Sequence, residues 1–256
     1  MPTIAFTNQK GGVGKTTSAV NVAAELAAQG HPTLLIDADP QGNASSGLGR
    51  RRDGAGTYEL LMHAAALTEV TVSTDTPGLD LVSATKHLAG AEVELAQAEG
   101  RYVRLARSLA TQSYRYVIID SPPSLGFLSL NALVAARYVV IPVQCEYYAL
   151  EGLGSLFDVL RKVKKSLNPE MDLLGVLITM YDKRLKLSDE IVAEVRKHFP
   201  DQTFETTIPR NVRLAEAPSH GQPIGTYDRR SKGARAYRKL AREVHELVET
   251  RAWQRA

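Results

Sequence analysis

The chain has 256 residues, enough for a full core, and its 44% hydrophobic and 23% charged residues exclude a disordered, collagen-like or fibrous protein. Its one cysteine, Cys145, excludes a disulfide framework and any zinc or iron-sulfur site that needs paired cysteines from one chain. The formal net charge of +3 is unevenly spread: residues 209–256 hold eleven Lys and Arg against five Asp and Glu, so this segment carries +6 and the rest −3, a bias that attracts polyanions.

Short β-branched runs alternate with longer helical stretches, as in a parallel sheet joined by crossover helices. The first strand is expected at 3–8 (TIAFTN), followed by a helix at 15–29 whose Val20, Ala23, Ala24 and Ala27 put small residues on one face. The predicted order continues with strand 33–37, helix 57–65, strand 79–83, a helical stretch over 86–111 broken at Gly100, and strand 116–120. Helix 126–136, strand 138–143, helix 151–167, strand 173–179, helix 188–199, a weaker strand near 203–208 and helix 232–250 complete it. Several strands are apolar throughout, which fits strands covered on both faces. No repeat, low-complexity tract or long linker divides the chain. The expectation is one α/β domain over 1–256, a doubly wound, mostly parallel twisted sheet flanked by helices on both faces.

No apolar run approaches the ~18 residues that cross a bilayer, since 173–180 (LLGVLITM) is short and flanked by charge. Met1 leads almost directly into the first strand, without the basic stretch and apolar segment of a secretory signal. These features predict a soluble, cytoplasmic protein.

Strand 3–8 runs into Gln9-Lys10-Gly11-Gly12-Val13-Gly14-Lys15-Thr16-Thr17, the strand, glycine loop and helix context of a phosphate-binding loop. Glycines let backbone N–H groups turn toward an anion, the helix N-terminus adds partial positive charge, and a lysine adds a full one. Lys15 is expected to reach the β- and γ-phosphates and the Thr16 hydroxyl to ligate Mg²⁺. The strict pattern GxxxxGK[ST] fails at one place, where Gln9 stands for the first glycine.

The run NQKGGVGKTT resembles the deviant Walker A motif of the ParA/MinD ATPases, a P-loop NTPase family, with Lys10 as its additional signature lysine. The resemblance implies an ATP-dependent homodimer in which Lys10 crosses to the phosphates bound by the partner subunit, so that Lys10, Gly11, Gly12, Val13, Gly14, Lys15, Thr16 and Thr17 form the phosphate site. A cation donated across a dimer acts most strongly when triphosphate is bound, which suits an association switch.

The second strand ends in Asp37-Ala38-Asp39, and the C-terminal end of a parallel strand is where open α/β folds bind ligands. This segment resembles the family's first switch, with Asp39 matching the residue that orients or activates the attacking water; Asp37 reads as structural or as an outer Mg²⁺ group. The run 116–120 is apolar and ends in Asp120, the Walker B pattern whose acid holds Mg²⁺ directly or through water. No glutamate follows Asp120, so slow intrinsic turnover is expected. Residues 208–218 resemble the ParA segment lining adenine, with Pro209 and Asn211 as the matching contacts and Met180 as a neighbour. The likeness runs from Thr3 to about Val248 and is weakest between Arg50 and Gly100.

The implied function is a DNA segregation ATPase of the ParA/Soj type, for chromosome or plasmid partitioning. It would bind ATP and Mg²⁺, associate with nonspecific double-stranded DNA on the nucleoid, and hydrolyse faster with a ParB-like centromere-binding partner. Arg184, Lys186, Arg213, Arg229, Arg230, Lys232 and Arg235 are the candidate DNA contacts, and the start of the chain at its first strand leaves no N-terminal helix-turn-helix. The alternatives are a MinD-like membrane-associated division regulator, disfavoured by the glutamates of the tail 243–249, and metabolic relatives. Among these the iron-sulfur members lack their cysteine pair here, and the amide ligases need a carboxylate-substrate site that no motif reveals.

Overall fold

A computed structural model describes residues 2–50, 54–146 and 153–254. Its seven strands form one sheet in the order β3-β4-β2-β5-β1-β6-β7. They are β1 (Thr3–Phe6), β2 (Thr33–Asp37), β3 (Thr71–Ser73), β4 (Leu79–Val82), β5 (Tyr116–Asp120), β6 (Tyr138–Gln144) and β7 (Asp172–Thr179). All neighbours pair parallel except β3, which runs antiparallel to β4 at the edge.

The helices are α1 (Lys15–Ala28), α2 (Asn43–Gly47), α3 (Thr57–Met62), α4 (Leu67–Val70), α5 (Ala91–Gln97) and α6 (Arg104–Ser108) in the first half. The second half adds α7 (Phe127–Ala135), α8 (Leu153–Ser166), α9 (Lys186–His198), α10 (Val212–Glu216), α11 (Ile224–Tyr227) and α12 (Lys232–Trp253). Side chains alternate across the sheet and so build cores on both faces. Ile4, Phe6, Tyr116 and Ile118 face α1 and α12, where the small stripe of Val20, Ala23, Ala24 and Ala27 lets α1 lie close. Ala5, Val117 and Ile119 face the opposite way, toward α3, α5, α6 and α7. A third cluster packs α8 and α9 on the apolar residues of β6 and β7. The doubly wound arrangement is as expected.

Several details depart from the sequence reading, which also does not place the short helices α2, α4, α10 and α11. The stretch 86–111 is a 3₁₀ turn at Lys86–Gly90 followed by α5 and α6, parted at Gly100, whose φ is 61°. The weak strand near 203–208 makes only isolated bridges, Val176 to Thr203 and Tyr181 to Pro209. Phe204 N–H and Ile208 N–H do donate to the Val176 and Ile178 carbonyls of β7, at 3.1 and 2.8 Å, but between them Glu205 N–H and Thr206 N–H donate to the Glu243 carboxylate, at 2.6 and 3.1 Å. The short edge strand β3 was not anticipated. Of the predicted helix 151–167, residues 151 and 152 lie outside the described residues.

Candidate nucleotide site

β1 and β5 are adjacent in the sheet, and at their C-terminal ends the chain leaves β1 through the glycine loop into α1. Gly12 and Gly14 take left-handed φ values of 76° and 86°, which an L side chain adopts only at a cost of ~1–2 kcal/mol. Lys15 is buried at the start of α1, and its Nζ donates to the Lys10 carbonyl at 3.0 Å, reaching back across the loop. Burial lowers the Lys15 pKa, while the carboxylates of Asp120 and Asp39 act against that fall. Thr16 and Thr17 occupy the first turn.

Two side-chain hydrogen bonds brace the loop against neighbouring strands. Asn8 donates from Nδ2 to the Pro142 carbonyl at 2.7 Å, and its Oδ1 accepts from Lys10 N–H at 3.0 Å, which ties the entering limb to β6. Thr179 donates from Oγ1 to the Val13 carbonyl at 2.8 Å, which ties the leaving limb to β7. The Lys10 side chain stands at the mouth, partly exposed, with Nζ 3.3 Å from Glu146 Oε2 of the same chain.

The aspartates separate by their partners. Asp37 and Asp120 are register neighbours on β2 and β5, and both are fully buried. Asp37 is well satisfied: Oδ2 accepts from Ser45 N–H at 2.8 Å and from Ser45 Oγ at 2.6 Å, and Oδ1 accepts from Asp39 N–H at 3.3 Å. Even so, burial raises its pKa to about 6. Among the described residues, Asp120 has no hydrogen-bond partner of normal geometry at either carboxylate oxygen. Burial first, then the Asp37 charge, pushes its pKa well up, with the Thr16 hydroxyl and the Lys15 ammonium as partial offsets. A buried, unpaired carboxylate beside a hydroxyl is the donor set that a hard, oxygen-seeking divalent cation completes. Asp39 lies almost buried at the head of the next turn, where Oδ1 accepts from Gln41 N–H at 2.9 Å.

On the other side of the loop, a cavity of about 370 Å³ is lined by Met180, Pro209 and Asn211, the residues predicted to meet a base, together with Gly14 and Thr17 of the phosphate loop. Met180 sits at φ 53°, an uncommon conformation for a residue with a side chain, and turns the chain sharply at the end of β7. Asn211 also caps α10, its Oδ1 accepting from Arg213 N–H at 2.9 Å. The cavities of about 800 and 580 Å³ include no residue of the phosphate loop in their linings.

The predicted basic residues fall into two groups. Arg184 is held by Asp182, Lys186 by Glu190, and Arg213 by Glu216 and Asp228. Arg229, Arg230, Lys232 and Arg235 are exposed and form no ion pair among the described residues. They gather where α12 begins, and its first turn has no acidic residue, so side-chain charge adds to the positive end of the helix dipole. Farther along, Val244 and Val248 of α12 are buried against the sheet, leaving that apolar face unavailable to a bilayer. Among the described residues no helix is long and apolar enough to cross a membrane.

Sequence reasoning missed Asn8, Ser45 and Thr179. Asn8 adjoins the loop and was within reach of a motif reading, whereas Thr179 lies 166 residues from its partner and has no local signal.

A family profile described as an AAA domain matches residues 1–173. The chain is 53% identical over 245 residues to the sporulation initiation inhibitor protein Soj of Bacillus subtilis, covering 94% of this chain and 97% of that protein. It is 49% identical over 247 residues to the chromosome partitioning protein ParA of Caulobacter vibrioides, covering 94% and 92%. Among solved structures, cobyrinic acid a,c-diamide synthase from Mycobacterium smegmatis with bound ADP and magnesium superimposes with a TM-score of 0.83 at 37% identity, covering 94% of this chain and 92% of that one.

Proposed function

Because the chain belongs to the Soj/ParA family of chromosome-partitioning ATPases, we propose that it hydrolyses ATP with Mg²⁺ to drive a dimerisation switch that engages DNA. The observation that carries this reading is Asp120, a fully buried carboxylate with no hydrogen bond of normal geometry among the described residues, beside Thr16 and Lys15 at the head of a phosphate loop. Thr16 and Asp120 would hold Mg²⁺, which supplies neutralisation of phosphate charge. Gly11, Gly12, Val13, Gly14 and Thr17 present the loop and the α1 N-terminus to the phosphates, and Lys15 leaves the Lys10 carbonyl to meet them. Asp39 orients the attacking water, Met180, Pro209 and Asn211 receive the base, and Asp37, already satisfied by Ser45, keeps the strand end in shape.

Lys10 stands partly exposed at the mouth, where a second copy can take it up and place its charge on the facing phosphates. ATP then favours the dimer, and hydrolysis releases it. The unpaired cations at the start of α12 fit sequence-independent contact with DNA phosphates, an affinity that falls steeply with salt. A ParB-like partner would stimulate hydrolysis.

The test is size-exclusion chromatography of Asp39→Ala with ATP or ADP, with and without nonspecific duplex DNA. The variant should elute as a dimer with ATP and as a monomer with ADP, and only the ATP form should retain DNA; Lys10→Ala should bind nucleotide and stay monomeric. An Asp39→Ala protein that hydrolyses ATP at the normal rate removes the role given to Asp39. A second reading follows from the name of the Mycobacterium smegmatis structure, that of an amide-forming ligase. ATP consumption that requires a carboxylic acid and an amide or ammonia donor, and ignores DNA, would favour it.

A further inference from the structure

We infer that Thr179 is the positioning residue that fixes the phosphate loop to the base pocket, an inference that rests on the nucleotide site proposed above. Thr179 ends β7 and is buried. Its backbone is fixed by the sheet: it pairs in register with Gln144, and its carbonyl accepts from Cys145 N–H at 3.1 Å. Its side chain faces the loop. The hydroxyl donates to the Val13 carbonyl at 2.8 Å, and its methyl lies under Gly14, where a Cβ built on the glycine would sit 3.6 Å from Thr179 Cγ2. The next residue, Met180, takes φ 53° and turns the chain over the cavity that Thr179 and Gly14 share.

One residue therefore joins a rigid strand, a loop that its glycines leave free to move, and the wall against which a base would rest. The entering limb of the loop is held independently by Asn8. Without the Thr179 hydroxyl, the Val13 carbonyl loses the one side-chain donor it has among the described residues, and the leaving limb must be ordered by the ligand itself, at a cost to affinity. Adenine and phosphate sites are then set in register by one hydrogen bond from the cavity wall to the loop backbone.

The experiment measures ADP binding by titration calorimetry on the full chain and ATP turnover with Mg²⁺ for Thr179→Val and Thr179→Ser. Valine keeps the shape and removes the donor, so the ADP dissociation constant should rise about tenfold, the loss that one net hydrogen bond represents. KM should rise by the same factor while kcat changes less than twofold. Serine keeps the donor and should stay within about threefold of the unmodified protein. A Thr179→Val protein within twofold of the unmodified dissociation constant, or a Thr179→Ser protein as weak as the valine one, overturns the inference. Should the valine protein fail to fold, Thr179→Ser against Thr179→Ala gives the same reading, and equal affinities for those two overturn it. Failure of the unmodified protein to bind ADP would sink the proposed nucleotide site and the inference together, whereas normal binding by both proteins sinks the inference alone.

Discussion

Asp120→Asn should make the nucleotide-free protein more stable at alkaline pH, although it removes the carboxylate assigned to Mg²⁺. Asp37 and Asp120 lie side by side, fully buried, and titrate as a pair. The folded state raises the Asp37 pKa from 3.8 to about 6, and at 1.36 kcal/mol per pH unit the ionised site costs about 3 kcal/mol relative to the unfolded chain. The folded form therefore holds its protons more tightly than the unfolded form. The associated stability is fully present below about 3.8 and is lost as pH rises through about 6. Replacing Asp120 by a neutral isostere removes one buried charge and relieves its neighbour, a gain of about 1–3 kcal/mol at pH 8. For a chain of this size that is a rise in Tm of roughly 2–10 °C. Differential scanning calorimetry in EDTA should show the largest gap at pH 8 and a gap shrinking toward pH 4, with Mg-ATP raising the Tm of the unmodified protein alone. An Asn variant that melts below the unmodified protein at pH 8, or a gap that ignores pH, would refute the reasoning.

Ser45→Ala should cost about 2–3 kcal/mol in urea unfolding, because the Ser45 hydroxyl donates to Asp37 Oδ2 at 2.6 Å and accepts from Ala84 N–H at 3.0 Å, both buried. Gly14→Ala should lose ~1–2 kcal/mol to its φ of 86° and also lose ADP binding; a calorimetric titration showing normal affinity would contradict the loop geometry. Glu92→Ala should lower stability by about 1–2 kcal/mol, since its carboxylate accepts from Phe127 N–H at 2.7 Å and Leu128 N–H at 3.1 Å and so caps α7 from another helix. Replacing Arg229, Arg230, Lys232 and Arg235 by Ala should leave the Tm within a few degrees and flatten the salt dependence of DNA binding, measured by fluorescence anisotropy.

The fold was readable where one local pattern governs one element. The runs at 33–37 and 116–120 appear unchanged as β2 and β5, because a strand covered on both faces needs only apolar residues along its length. Segments settled by distant partners were harder. Residues 203–208 look like a strand, yet between the Phe204 and Ile208 donors that reach β7 the Glu243 carboxylate of α12 takes the N–H groups of Glu205 and Thr206, and the ladder is interrupted. Strand β3 exists because its three residues meet β4 across a turn, and its sequence, TVS, has too short an alternation to announce itself.

The same division runs through the site and explains which residues could be named in advance. Lys15, Thr16 and Asp120 stand at motif positions because strand, turn and helix bring them together within one βα unit or one strand end. The hydrogen bonds that set their geometry reach elsewhere in the chain: Ser45 on Asp37, Asn8 to β6, and Thr179 from β7. The sheet order makes this unavoidable. β1 lies between β5 and β6, strands more than a hundred residues away in sequence, so whatever braces the loop laterally must join it to sequence remote from it. The charged groups identify the chemistry, and the neutral hydroxyls and amides around them determine whether the loop is already in shape when its ligand arrives.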